Sequence, residues 1–168
     1  PLELQESELF GHVAGGFTGA VRDRDGVFQQ AHRGTLFLDE FGELDVRTQA
    51  ALLRALQPGP NDPPCLRTIR RVGAEKPEVV DVRVIAATNV NPLDQIARGK
   101  LREDLFYRVS TISLRVPALR ERRSDIPALV DSLLLRINAQ FARAAPGYQN
   151  KSLSGAAKGL VSQHAWPG

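Results

Sequence analysis

The residues with the clearest chemical potential stand at the ends of two apolar runs. In "GTLFLDE" the run Leu36 to Leu38 ends in Asp39 and Glu40. A strand that delivers two successive carboxylates into a crevice suits hydrolysis of a nucleoside triphosphate. The first carboxylate holds a magnesium ion, and the second orients and deprotonates the attacking water. A solvated acidic turn uses the same two residues, and both readings stand at this point. In "VVDVRVIAATN" (Val79 to Asn89) the run ends in Thr88 and Asn89. A polar side chain there reaches a γ-phosphate or its attacking water, or else caps the following turn. Arg102 and Arg108 in "LREDLFYR" lie six residues apart, which is about 120° around a helix. Both can reach a crevice at a subunit boundary, where a neighbour's arginine stabilises charge on a transferring phosphoryl group. Ion pairs with Glu103 or Asp104 are the competing use.

Other chemistries fall away. Cys65 is the one cysteine, and His12, His32 and His164 are scattered, so zinc-ligand spacing is absent. A single cysteine allows no disulfide within the chain, and with no His nearby in sequence it makes a poor catalytic thiol. There is no G-x-S-x-G elbow. The phosphate-cradling pattern G-x-x-x-x-G-K-[ST] is absent too, because Gly99-Lys100 is followed by Leu101. "GGFTGA" (Gly15 to Ala20) has glycines but no Lys, and it is not G-x-G-x-x-G either. It reads as a mobile loop between helical arms, with Phe17 and Thr18 at its tip for contact.

Strands and helices must position these groups. Leu36 to Leu38 reads as a buried strand. Glu43 to Gln57 reads as an amphipathic helix, with Leu52, Leu53 and Leu56 on one face and Gln49 and Arg54 away from it. "PGPNDPP" (Pro58 to Pro64) breaks it. Val79 to Asn89 reads as a second strand. A short helix follows in "PLDQIARG", stopped by Gly99, then a helix in "LREDLFYRV". Ser110 to Pro117 reads as a third strand. "SDIPALVDSLLLRINAQFARA" reads as a long amphipathic helix, with Ser124 as N-cap and Pro127 in the first turn. A last helix begins at Ser154. Alternating strands and helices, then helices alone, give an α/β layer followed by a helical subdomain. Parallel α/β sheets carry their working groups at the C-terminal strand ends, where Asp39, Glu40, Thr88 and Asn89 all fall.

The chain has 168 residues, of which 42% are hydrophobic, and a net charge of +3. That suits one domain or part of a larger one. No apolar run approaches the ~20 residues of a membrane span, and no signal peptide is visible at the start. The only tight basic cluster, Arg67 to Arg71, is too short to argue for nucleic-acid binding.

The motifs "ESELFGHVAGGFTGA", "GTLFLDEFGEL", "VRVIAATN", "LREDLFYRV", "VPALRERRSDIPAL" and "AWPG" occur in an order that resembles the central AAA+ domain of sigma-54-dependent transcriptional activators. The resemblance implies a partial P-loop NTPase: a three-layer α/β core over residues 1–117, lacking its first strand and P-loop, then part of a helical lid over 118–168. It implies ATP and Mg2+ as cofactors, with Asp39 and Glu40 as the Walker B acids and Asp39 on the magnesium. Thr88 and Asn89 match the first sensor, and Arg102 and Arg108 the arginines that reach a neighbouring subunit's nucleotide. Gly15, Gly16, Phe17, Thr18, Gly19 and Ala20 match the loop that contacts sigma-54, where the usual second residue is Ala rather than Gly16. The resemblance further implies a ring, as a rule a hexamer, that remodels the sigma-54 RNA polymerase closed complex in the bacterial cytoplasm. DNA would be touched only through a further domain downstream. Because the Walker A motif and the second sensor arginine are not in this sequence, the chain reads as a fragment that binds ATP poorly by itself. The alternative is a non-catalytic module that presents the loop without hydrolysis.

Overall fold

The computed structural model describes residues 2–57, 59, 63 and 65–167. Of the loop from Pro58 to Pro64, Pro58, Pro60, Asn61, Asp62 and Pro64 therefore lie outside the described residues. The chain forms two compact units, Pro1–Ser113 and Leu114–Gly168. No helix among the described residues is long and apolar enough to cross a membrane.

The first unit is built on a three-stranded sheet of order β1-β3-β2. Strand β1 (Gly34–Leu38) runs parallel to β3 (Glu78–Ala86), with Leu36 opposite Val84 and Leu38 opposite Ala86. Strand β2 (Leu66–Ile69) pairs antiparallel with the first half of β3. Side chains alternate across a strand. Leu36, Leu38, Val80 and Val82 face the helices and are buried, while Phe37 and Ile85, paired in register on the other face, are 58% and 42% exposed.

Helices α1 (Leu2–Phe10), α2 (Val27–Gln30), α3 (Val46–Leu56), α4 (Pro92–Ala97) and α5 (Glu103–Val109) complete this unit. The core gathers Phe10, Phe28, Leu52, Val82 and Leu105, all with 2% exposure or less. Phe10 and Phe28 stack with centroids 5.3 Å apart, joining α1 to α2. Each such side chain contributes roughly 1.5–3 kcal/mol on burial. Asp45 caps α3 by accepting from the N–H groups of Arg47 and Thr48, which satisfies donors that the first turn leaves open. Asn91 does the same for α4 through Leu93 N–H at 3.1 Å, and α4 ends before Gly99, whose φ is +68°.

One position on α3 reverses the sequence reading. Gln49 does not face away; it is fully buried on the same stripe as Leu52. Its amide NH2 donates to the carbonyls of Leu44 and Lys100, both at 2.7 Å, and its Oε1 accepts from Arg102 N–H at 2.9 Å. Three backbone groups from two segments, Leu44 and Lys100–Arg102, are satisfied by one side chain, which is why a polar residue is stable there. Replacing Gln49 with Leu leaves all three groups dry and unpaired. Urea unfolding of that variant should show a loss of about 3 kcal/mol, and a loss below about 0.5 kcal/mol would contradict this role.

The stretch from Ser110 to Pro117 is not a strand. Its alternating pattern suits one, but no described segment pairs with it, and Ile112, Leu114 and Val116 are 80%, 86% and 77% exposed. A strand is defined by a hydrogen-bonded neighbour, not by pattern alone.

In the second unit, α6 (Ile126–Ala144) follows a 3-10 turn at Arg123–Asp125. Ser124 is therefore not the N-cap. It sits inside that turn, its hydroxyl donating to Asp125 Oδ1 at 3.2 Å, and Asp125 precedes the helix without a side-chain cap bond. Asp125 already has helical φ and ψ (−83°, −17°), so the turn runs directly into the helix. Pro127 stands in the first turn, where its absent N–H costs nothing. Asn138 pins the following loop to α6 by donating to Lys151 O and accepting from Lys151 N–H, both at 2.8 Å, and from Tyr148 Oη–H at 2.9 Å. Ser154 does cap α7 (Gly155–Gln163), accepting from Ala157 N–H at 3.2 Å.

Candidate nucleotide site and contact loop

The parallel register of β1 and β3 places the two polar strand ends side by side. Beyond the last pair, Leu38 and Ala86, the chains stay joined. Ala87 N–H donates to Leu38 O at 2.8 Å, and Phe41 N–H donates to Ala87 O at 3.0 Å. Asp39 and Glu40 are held between those two bonds on one side, with Thr88 and Asn89 following on the other. All four are exposed. Glu40 has left-handed backbone angles, φ 51° and ψ 38°. A non-glycine residue seldom adopts them, and such residues cluster at working sites. The turn reverses the chain sharply into the 3-10 segment Phe41–Glu43.

The carboxylate of Asp39 accepts Glu40 N–H through Oδ1 at 2.9 Å, and Oδ2 remains available to a cation. Among the described residues no group of three or more His, Cys, Asp or Glu could hold a metal. One carboxylate fits a magnesium ion that arrives on triphosphate oxygens, because magnesium needs only one or two protein carboxylates beside phosphate and water. Thr88 Oγ1 accepts Val90 N–H at 3.3 Å. The Asn89 amide forms no hydrogen bond among the described residues, and Asn91 takes the capping role.

Arg102 and Arg108 differ in state. Arg102 grips Asp104 with two bonds, Nε to Oδ1 at 3.0 Å and Nη2 to Oδ2 at 2.8 Å. This hydrogen bonding holds the Asp104 carboxyl below its ordinary pKa and the Arg102 guanidinium above its own. The competing ion-pair use thus holds for Arg102 in this state. Arg108 is exposed and has no ion pair among the described residues.

The loop Gly15 to Ala20 closes on itself, with Gly15 N–H donating to Ala20 O at 2.8 Å and Ala20 N–H to Phe17 O at 3.0 Å. Its arms are not helical. His12 and Arg24 exchange two backbone bonds of 2.9 Å as an antiparallel bridge, and Val13 N–H donates to Val72 O at 3.1 Å. The extended arms pair with each other and with the turn after β2, which uses their backbone groups outside a helix. Thr18 and Gly19 are exposed, Ala20 is buried, and Phe17 is half-buried.

Sequence reasoning overlooked Arg71, which sits in the basic cluster. It bridges Asp25 below the loop (2.7 Å) and Glu78 at the start of β3 (2.6 Å). The hydrogen bond it donates to Glu78 holds its pKa above the ordinary value. No periodicity marks such a link, because Asp25 is remote in sequence and Glu78 is reached only across the turn between β2 and β3.

Solved structures share this fold. NtrX from Brucella abortus matches with a TM-score of 0.80 and 35% identity, over 99% of this chain and 34% of that one. Its complexes with ADP and with ATP match at 0.79. The fold is that of a partial P-loop NTPase of the AAA+ class. Residues 1–115 match the family model described as the sigma-54 interaction domain, and the chain belongs to that family. Among curated relatives, the Nif-specific regulatory protein and the nitrogen fixation protein AnfA, both of Azotobacter vinelandii, are 45% and 46% identical over the whole chain. The nitric oxide reductase regulator NorR of Klebsiella pneumoniae is 45% identical. The chain spans only 30%, 29% and 30% of these three relatives.

Proposed function

We propose that this chain carries the hydrolytic acids and the sigma-54 contact loop of an ATP-driven transcription activator. The observation that carries the reading is the parallel register that sets Asp39 and Glu40 beside Thr88 and Asn89. Asp39 holds the magnesium that accompanies ATP, which when bound neutralises phosphate charge. Glu40 accepts the proton of the attacking water, and Asn89 and Thr88 orient that water and the γ-phosphate. Arg108, and Arg102 once released from Asp104, act on the nucleotide of a neighbouring subunit in a ring, a hexamer by resemblance. Hydrolysis is spent on moving the Gly15 to Ala20 loop against sigma-54, remodelling the polymerase closed complex in the bacterial cytoplasm.

The loop's part is tested by Phe17→Ala in the full-length protein. ATP turnover should stay within about twofold of the parent, because the Phe17 ring pairs with His12 in the loop's arm rather than belonging to the strand ends. Binding to sigma-54 and promoter opening should fall by about tenfold or more, the scale of an aromatic anchor at an interface. Unchanged promoter opening would remove Phe17 from the contact surface. If the unsubstituted full-length protein turned over no ATP yet still bound sigma-54, the chain would be a non-catalytic interaction module.

A further inference from the structure

Ser7 and His12 are both buried, at 4% and 8% exposure. Ser7 Oγ and His12 Nδ1 share a 2.7 Å hydrogen bond, and neither residue is near the strand-end acids in sequence. The bond fixes the plane of the His12 ring. The backbone of His12 is fixed as well, through its paired bonds to Arg24 and a bridge to Val72. The loop's Phe17 lies edge-on to that ring, with centroids 5.0 Å apart and planes at 77°. This is the favoured geometry for an aromatic pair.

The loop is also held from its other side. A Cβ added at Gly16 would lie 2.5 Å from Val72 O and 3.0 Å from Val13 O, and one added at Gly73 would lie 2.4 Å from Gly16 Cα. The two backbones touch without side chains between them. The Gly at position 16, where the sigma-54 activators usually have Ala, thus permits an approach that Ala would prevent.

We propose that His12, oriented by Ser7, is a positioning residue on which Phe17 rests while the loop is disengaged, and that Phe17 must leave this ring to engage sigma-54. The proposal rests on the reading of Phe17 as a contact residue. A ligand that binds only the released state has its affinity reduced by the fraction released. Weakening the resting contact therefore tightens binding.

The test places 4-fluorophenylalanine at position 17 of the full-length protein and follows its 19F resonance, with sigma-54 affinity measured in parallel. His12→Ala should move the resonance toward that of an exposed ring and tighten sigma-54 binding about two- to tenfold. Ser7→Ala, which keeps the ring but frees its orientation, should give a smaller shift in the same direction. His12→Phe, which restores an aromatic ring, should return both readings toward the parent. A resonance unmoved by His12→Ala and Ser7→Ala would overturn the proposal. So would a moved resonance with equal or weaker sigma-54 binding, which would leave Phe17 as a contact residue but deny that the resting contact opposes engagement. If Phe17→Ala did not weaken sigma-54 binding, the contact reading itself would fail and the proposal with it.

Discussion

Glu40→Gln in the full-length protein lowers ATP turnover by about 10²- to 10⁴-fold, the span of a lost general base. Gln keeps the side chain's length and its hydrogen-bonding capacity, so the left-handed turn and the bonds joining Leu38, Ala87 and Phe41 stay in place. ATP affinity should stay within about twofold, or about 0.4 kcal/mol. Stability should change by less than about 0.5 kcal/mol at this exposed site. Steady-state turnover and calorimetric ATP titration read the two effects separately. A variant that hydrolysed ATP at the parent rate would remove Glu40 from the chemistry. One that lost binding and turnover together would give it a role in holding the nucleotide instead.

Gly26→Ala has the largest effect on stability. The base of the contact loop is closed by two glycines pressed together. A Cβ at Gly26 would lie 2.2 Å from Gly11 N and 2.5 Å from Leu9 O, and one at Gly11, where φ is +72°, would lie 2.4 Å from Arg24 O. Every one of these neighbours is backbone, so no side chain can swing aside. The strands of the His12–Arg24 bridge must separate, or the end of α1 must shift off Phe28. Overpacking of this kind costs about 3 kcal/mol or more, a large part of the ~5–15 kcal/mol that holds a domain folded. Urea unfolding should show that loss, and a loss below about 1 kcal/mol would mean that the loop base yields easily.

How much of this is legible in the sequence depends on whether a signal is periodic. Strands β1 and β3 are legible because apolar, β-branched runs end abruptly in Asp39 and Thr88. Their adjacency is not legible, since it depends on pairing across more than forty intervening positions, although parallel α/β logic points to it. Gln49 shows the limit of reading by residue type. It stands three residues before Leu52, on the buried stripe by position, but its polarity suggests solvent. Ser110 to Pro117 shows the opposite limit, an alternating pattern with no partner strand. Strand β2 is hidden in an Arg-rich stretch whose apolar content is only Leu66 and Ile69. The bond from Ser7 to His12 and the clamp of Arg71 on Asp25 and Glu78 leave no trace in spacing, because packing alone brings these residues together.

The shared nucleotide at the two strand ends can be tested with Mn2+ in place of Mg2+. Saturating Mn2+·ATP is added to the full-length protein carrying an isotope-labelled Thr88 methyl group, and the methyl signal is followed by NMR. If Asp39 holds the metal beside Thr88, that signal broadens strongly with Mn2+·ATP, stays sharp with Mg2+·ATP, and recovers in Asp39→Ala. A Thr88 signal that stayed sharp while Mn2+·ATP was demonstrably bound would contradict a common site at the ends of β1 and β3.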